Sequence, residues 1–472
     1  MGRAGKVVGT GLLVVVLAAG AYVVADAYDL VPGGLTLAAP PPPALPFPAA
    51  PGVAAARAAA APVLTEPDPN APMPAAGVLQ ARVDALVANA ALGPTTGVVV
   101  ADRLSGEVLA THLPDEARVP ASTAKLLTAT AALGTLDPRG TLPTTVLAGG
   151  SADELVLRGG GDMMLAAGAG DPAAVVGHAG MADLADQVAK DLKLRGTTTV
   201  RLRVDDTLFS GPGLAPGWTA SEVNLGYVAP IASIAVNIAK TKDGEYVPRF
   251  TDPAMNAGKV FAQRLAEAGI TVSGSPTRGT APSGARVLGQ VDSAPLGDVV
   301  RYALTTSDNT IAEVLGRLVA VGQGLPASFG GATQGVLHAL GTLGIETAGD
   351  HLSDCSGLDA GSGITPRTLV GVVLASQDPK RPALRDIAAG VPIAGLTGTL
   401  SDRFIGTPAS GEVRAKTGSL PSVTSLAGTL TTADGRQLAF AVMADATGAI
   451  GQEPPRRVID PFIEGLVGCG CR

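Results

Sequence analysis

Between Pro32 and Pro74 the chain carries 13 prolines in 43 residues, four of them consecutive at Pro40-Pro41-Pro42-Pro43. Proline lacks a backbone N–H and has a fixed φ, so such a stretch can neither build a helix interior nor sit within a sheet. It predicts an extended, coreless spacer. Any globular body must lie downstream, and a chain of 472 residues leaves room there for more than one domain. Upstream, Arg3 and Lys6 precede an uncharged run from Val7 to Ala25, which Asp26 ends. A run of about 20 apolar residues spans a bilayer as a helix, and leading cations favour a cytoplasmic N-terminus. The run is expected to be a membrane anchor, or a signal peptide cut near Ala25-Asp26-Ala27.

Composition removes several function classes. An apolar share of 46% excludes wholesale disorder. Net charge is −7 without a long Lys/Arg run, so no nucleic-acid partner is expected, because phosphate neutralisation needs clustered cations. The four histidines, His112, His178, His338 and His351, form no ligand pair, and there are only three cysteines. No metal site, haem or disulfide-dense scaffold is expected.

Leu79, Val83, Leu86, Val87 and Ala90 recur at helical spacing and predict a helix over Gly77–Ala91. Thr96–Asp102 and Glu107–His112 flank Leu104-Ser105-Gly106 and predict a hairpin. Pro120 then leads into Ser122–Leu133, an Ala, Leu and Thr run suited to a buried helix. At the far end, Val413–Lys416, Thr424–Thr431 and Gln437–Ala444 predict a meander that turns at Ala433-Asp434-Gly435, and Val458–Leu466 a helix. Between them, strands at Glu154–Leu157 and Thr199–Val204 and a helix near Asn256–Glu267 lie among Gly-rich turns. The pattern is an α/β domain begun early, interrupted, and completed at the end.

Three short motifs carry chemistry. In Ser122-Thr123-Ala124-Lys125, residues three apart share a helix face, so the hydroxyl and the amine meet at a helix N-terminus that favours negative charge. Serine needs an adjacent base. Lysine serves only when neutral, and at an ordinary pKa of about 10.4 roughly one in 2,500 is neutral at pH 7. Burial and a second cation would lower that value. Ser307-Asp308-Asn309 precedes a helical pattern of Ile311, Val314, Leu315 and Leu318. Either it is a helix cap, or Ser307 relays a proton and Asn309 holds a substrate amide. Lys416-Thr417-Gly418-Ser419 ends a strand predicted at a sheet edge, where an extended peptide can pair. Gly418 would let that ligand approach closely, and Lys416, Thr417 and Ser419 suit a carboxylate.

In this order the three are the serine set of penicillin-binding proteins and class A β-lactamases. The chain resembles the D-alanyl-D-alanine carboxypeptidase/endopeptidase family, the class C low-molecular-mass penicillin-binding proteins. The stretches GVVVADRLSGEVLATHLPDEARVPASTAKLLTAT (Gly97–Thr130), LRGGGDMML (Leu157–Leu165), VDDTLF (Val204–Phe209), DCSGLD (Asp354–Asp359) and TGTLSDRF (Thr397–Phe404) look like that family's. Ser122 and Ser307 lie 185 residues apart, far more than in a compact class A β-lactamase, and no E-x-x-L-N string places a deacylating water. A penicillin acyl-enzyme is therefore expected to persist.

The resemblance implies a β-lactamase/transpeptidase-like fold, an antiparallel sheet flanked by helices, discontinuous in sequence around an inserted smaller domain. The expected division is 1–27 as signal or anchor, 28–76 as linker, 77–145 with 286–472 as catalytic domain, and 146–285 as insert. It implies a DD-peptidase of the cell envelope, outside the cytoplasm, acting on peptidoglycan stem peptides ending in D-Ala-D-Ala and acylated by β-lactams, with no cofactor. Ser122 would attack, Lys125 take its proton, and Ser307 relay a proton with Lys416. Asn309 would bind the substrate amide, Thr417 and Ser419 the terminal carboxylate, with the N–H groups of Ser122 and Ser419 as oxyanion hole. Cys355 stands where that family commonly has glycine, and a disulfide from Cys355 to Cys469 or Cys471 is expected. A serine β-lactamase, which would turn nitrocefin over rapidly, and a non-catalytic peptidoglycan-binding relative are the alternatives. A cysteine hydrolase built on Cys355 and His351 lacks a nucleophile context, and no G-x-S-x-G supports an α/β-hydrolase.

Overall fold

The computed structural model describes residues 19–28, 30–31, 34–35, 37, 68–448 and 451–470, in two units, Met1–Glu66 and Pro67–Arg472. In the first, residues 19–27 are helical. The rest of the predicted Val7–Ala25 segment and most of the proline-rich stretch lie outside the described residues. Among the described residues no helix is long and apolar enough to cross a membrane.

The unit Pro67–Arg472 is built on a five-stranded antiparallel sheet. Its strands run Val413–Leu420, Val423–Thr431, Gln437–Ala444, Gly97–Asp102 and Val108–His112 in spatial order. The N-terminal hairpin joins the C-terminal meander through Gly97–Asp102, paired antiparallel to Gln437–Ala444 with Val99 opposite Ala441. Side chains alternate between faces along a strand. Val98 and Val100 enter one apolar cluster with Leu79, Val83 and Leu86 of the helix Ala76–Val87 and Ile459, Ile463 and Leu466 of the helix Glu453–Val467. Val99 and Ala101 enter the other, with the helices Ala124–Thr135, Leu296–Thr306, Asn309–Gly322, Phe329–Thr342 and Pro366–Ser376. The sheet is thus covered on both faces. From Ala124 to Leu133 every residue of the helix beyond Ser122 is buried, and its Ala and Thr side chains let neighbours approach closely.

A second sheet of six strands is drawn from Pro143–Ala148, Glu154–Arg158, Thr199–Asp205, Thr271–Val272, Thr277–Arg278 and Val287–Asp292. It is mixed: Glu154–Arg158 runs parallel to Thr199–Asp205 and antiparallel to Pro143–Ala148. The amphipathic helices Met181–Leu194 and Pro253–Glu267 close a separate apolar cluster through Leu184, Val188, Phe261 and Leu265. The chain thus leaves the first region after the helix Ala124–Thr135, rejoins its helices at Leu296 and its sheet at Val413.

The expected disulfide of Cys355 is corrected by this packing. Cys355 is a free, fully buried thiol in the helical cluster, where its Sγ occupies the space beside Gly316, whereas Cys469 belongs to the cluster on the sheet's other face. Cys469 is disulfide-bonded, and Cys355 is not its partner.

Candidate active site

The turn that presents Ser122 is built by backbone geometry rather than by a side-chain cap. Ala121–Thr123 form a 3₁₀ turn, with Ala121 at φ 47°, and the α-helix begins at Ala124. A left-handed alanine is uncommon and persists where surrounding structure holds it. Here the Pro120 carbonyl accepts from Thr123 Oγ1 at 2.7 Å and from Ser425 Oγ at 2.6 Å, which ties the turn to the sheet. Helical spacing then carries Lys125 Nζ to 2.9 Å from Ser122 Oγ.

Ser307 and Asn309 sit at a junction of two helices. Ser307 ends Leu296–Thr306 in the left-handed region at φ 59°, and Asp308 caps Asn309–Gly322 by accepting from Ile311 N at 3.0 Å. The cap reading of this motif therefore holds for Asp308, and leaves its two neighbours for other partners. Asn309 Oδ1 accepts from Lys125 Nζ at 2.5 Å, and Asn309 Nδ2 donates to the Tyr227 carbonyl at 2.9 Å. Lys416 Nζ donates to Ser307 Oγ and to the Thr417 carbonyl, both at 2.9 Å.

The strand carrying Lys416 is the edge strand of the first sheet, as the sequence predicts, but it runs on to Leu420, so the motif lies within it rather than at its end. Among the described residues the one bridge on its outer edge joins Ile393 to Arg414, at its start. Thr417 is nearly buried and touches the Thr399 hydroxyl at 2.8 Å, while Ser419 is exposed. Gly418 has a packing reason beside the expected ligand approach. A Cβ there would fall 2.0 Å from Ser425 Oγ and 2.5 Å from the Pro120 carbonyl oxygen, so glycine lets the strand lie against the turn that presents Ser122.

Both lysines are buried, Lys125 at 1% exposure and Lys416 at 0%. Burial pulls the Lys125 amine down to about 8, against the opposing pull of the Asp354, Glu313 and Asp308 carboxylates. Burial and the neighbouring Lys125 charge hold Lys416 well below the usual lysine range. Two amines that repel each other's charge disfavour double protonation, which leaves a neutral amine available.

Sequence reasoning missed the support beneath Lys125. Its third partner is the Ser356 carbonyl at 2.7 Å, in the DCSGLD stretch. Gly357, at φ 74°, is required there, since a Cβ would fall 1.8 Å from the Ala121 carbonyl oxygen. Asp354 gathers the loop by accepting from Gly357 N, Asp359 N and Trp218 Nε1. The buried Glu313 carboxyl, which shares a helix face with the buried Arg317 among apolar neighbours, was the available signal.

Residues 79–248 and 238–465 match the D-Ala-D-Ala carboxypeptidase 3 (S13) family, nearly all of the larger unit. The chain belongs to that family. A carboxypeptidase of Mycobacterium tuberculosis is 38% identical over 411 residues, covering 85% of this chain and 86% of the relative. Carboxypeptidase DacB of Mycolicibacterium smegmatis is 39% identical over 411 residues, covering 86% and 87%. The fold is also that of penicillin binding protein 4 (dacB) from Haemophilus influenzae, with a TM-score of 0.67, 24% identity, and coverage of 81% of this chain and 98% of that one. Membership of the S13 family accounts for the order of the three motifs and for the β-lactamase-like sheet flanked by helices, interrupted between the first motif and the second.

Proposed function

We propose that this chain is a serine-type D-Ala-D-Ala carboxypeptidase whose nucleophile is Ser122. Ser122 Oγ attacks the carbonyl carbon between the last two D-alanines of a stem peptide, and its proton passes to Lys125 Nζ, 2.9 Å away. The N–H groups of Ser122 and Ser419 receive the developing oxyanion, where one such donor is worth about 3 kcal/mol of barrier. As the C–N bond breaks, the departing D-alanine amine takes a proton by way of Ser307, which Lys416 Nζ contacts at 2.9 Å. Asn309 orients the substrate amide, and Thr417 and Ser419 hold the terminal carboxylate at the open end of the edge strand. Water then hydrolyses the ester, restoring Ser122. A β-lactam acylates the same oxygen, but its leaving amine stays tethered by the opened ring. No metal or organic cofactor enters.

The observation that carries this reading is the Lys125 amine, which joins two of the three motifs by touching both Ser122 Oγ and Asn309 Oδ1. The substrate lies outside the cytoplasm, and we infer that the unit Pro67–Arg472 works there, tethered or released according to the fate of the segment 7–25. The test is labelling by a fluorescent penicillin followed by peptide mass mapping. The label is expected on Ser122, and a label on another residue, or none, would sink the assignment. Parallel assays on a pentapeptide and on a cross-linked dimer separate carboxypeptidase from endopeptidase action, and fast nitrocefin turnover would favour a β-lactamase instead.

A further inference from the structure

Glu313 stands one turn beyond Asn309 on the helix Asn309–Gly322 and is wholly buried, flanked by the core residues Ile311, Val314 and Leu315. A carboxylate so placed needs donors. Cys355 N donates to its two oxygens at 2.9 and 3.1 Å, and Ser356 N donates to Oε1 at 2.8 Å. Arg317, one turn on, directs its guanidinium elsewhere, to the carbonyls of Ser210, Pro212 and Ala327.

The other side of the same loop faces the nucleophile. Lys125 Nζ donates to the Ser356 carbonyl at 2.7 Å and to Asn309 Oδ1 at 2.5 Å. Both oxygens only accept, so each fixes one N–H bond of the amine. A tetrahedral nitrogen then has a remaining direction for Ser122 Oγ at 2.9 Å, and in the neutral amine that direction holds the lone pair. If the Ser356 carbonyl moves, Asn309 Oδ1 alone pins the amine, and the second N–H can exchange places with the lone pair, which then no longer points at the serine proton.

We propose that Glu313 is a positioning residue: by clamping the N–H groups of Cys355 and Ser356, it holds the Ser356 carbonyl where it aims the Lys125 lone pair at Ser122. The proposal rests on Ser122 and Lys125 being nucleophile and base. Asp354 and Asp308 face Lys125 and favour its ammonium, while Lys416 opposes it; Asp354, the Cys355 thiol and Arg317 face Glu313. Burial, with Asp354 beside it, pushes Glu313 up to about 8, so below that pH it acts on the loop through its accepting oxygens rather than through charge.

The experiment measures acylation of the full chain by a fluorescent penicillin across pH, for wild type, Glu313→Gln and Glu313→Ala, beside thermal unfolding and mapping of the label. Glu313→Gln keeps the shape and one oxygen able to accept both N–H groups. It is expected to acylate within about tenfold of wild type, with the acid limb in place, because Glu313 is itself protonated there. Glu313→Ala is expected to acylate about a hundredfold more slowly, the scale of an ångström-sized misplacement. A Glu313→Gln rate as low as that of Glu313→Ala would overturn the proposal, as would a Glu313→Ala rate within about twofold of wild type. So would loss of cooperative unfolding in both variants, the mark of a purely structural post. An unlabelled Ser122 in wild type sinks the nucleophile reading and the proposal with it; a labelled Ser122 with unmoved variants sinks the proposal alone.

Discussion

The two sheet regions of this chain treat charge in opposite ways. Around the five-stranded sheet, Lys125, Lys416, Glu313 and Asp354 are held inside the packing, each with hydrogen-bond partners. Around the six-stranded sheet, Arg201 pairs with Asp153, Arg278 with Asp206 and Asp252, and Arg286 with Asp191, all with substantially exposed arginines. Exposed pairs are worth about 0–1 kcal/mol each, whereas a buried charge costs several kcal/mol unless its surroundings answer it. The contrast teaches that the first region gives up stability to hold buried amines, whereas among the described residues of the second sheet the buried Asp205 is answered by the N–H and hydroxyl of Thr207.

That contrast can be broken by experiment, beginning with the largest effect. Lys416→Met should cut penicillin acylation by about 10²–10⁴-fold, the range of a proton-transfer group, while the chain stays folded. Stopped-flow labelling measures it, and a loss under tenfold would remove Lys416 from the chemistry. Gly418→Ala should lower stability by about 1–3 kcal/mol in urea unfolding and depress labelling as well, because the new methyl meets Pro120 and Ser425. An unchanged midpoint would show that the turn yields readily.

The pH response comes next. Folding lowers the Lys125 amine to about 8, so between there and the ordinary 10.5 the unfolded chain binds more protons. Stability contributed through this group therefore rises with pH across that window and is withheld below it. Lys125→Met should flatten the rise in urea midpoint, and wild-type acylation should climb as pH passes about 8. Parallel midpoints for both chains would contradict the lysine's role. Smallest of all, Arg278→Ala should change stability by about 1 kcal/mol or less and leave labelling within about twofold. A larger loss would mean that the second region's surface pairs support the site after all.

How much of this was legible in the sequence depended on how local the cause was. Ser122 and Lys125 lie within one helical turn, so spacing alone brought them together. The apolar run Val98–Ala101 was likewise read as a strand, while the cover on both its faces shows only in the packing. The packing reason for Gly418 was not legible because it is Pro120, a residue nearly three hundred positions earlier. Cys355 was misread because chain order does not reveal which face of the sheet a loop packs against. Glu313 was passed over, although an acidic residue among Ile311, Val314 and Leu315 cannot be desolvated without partners.

The meeting of strand Gly97–Asp102 with Gln437–Ala444 has a kinetic consequence. Arg103 and Gln437, joined by a hydrogen bond at the edge of that pairing, are 334 positions apart. Ribosomal synthesis releases Ser122 long before the partner of the strand Gly97–Asp102 exists, and closing so distant a contact is slow. Penicillin reactivity should consequently emerge only when the last strands dock, which makes covalent capture of the drug a stopwatch for maturation of the whole polypeptide.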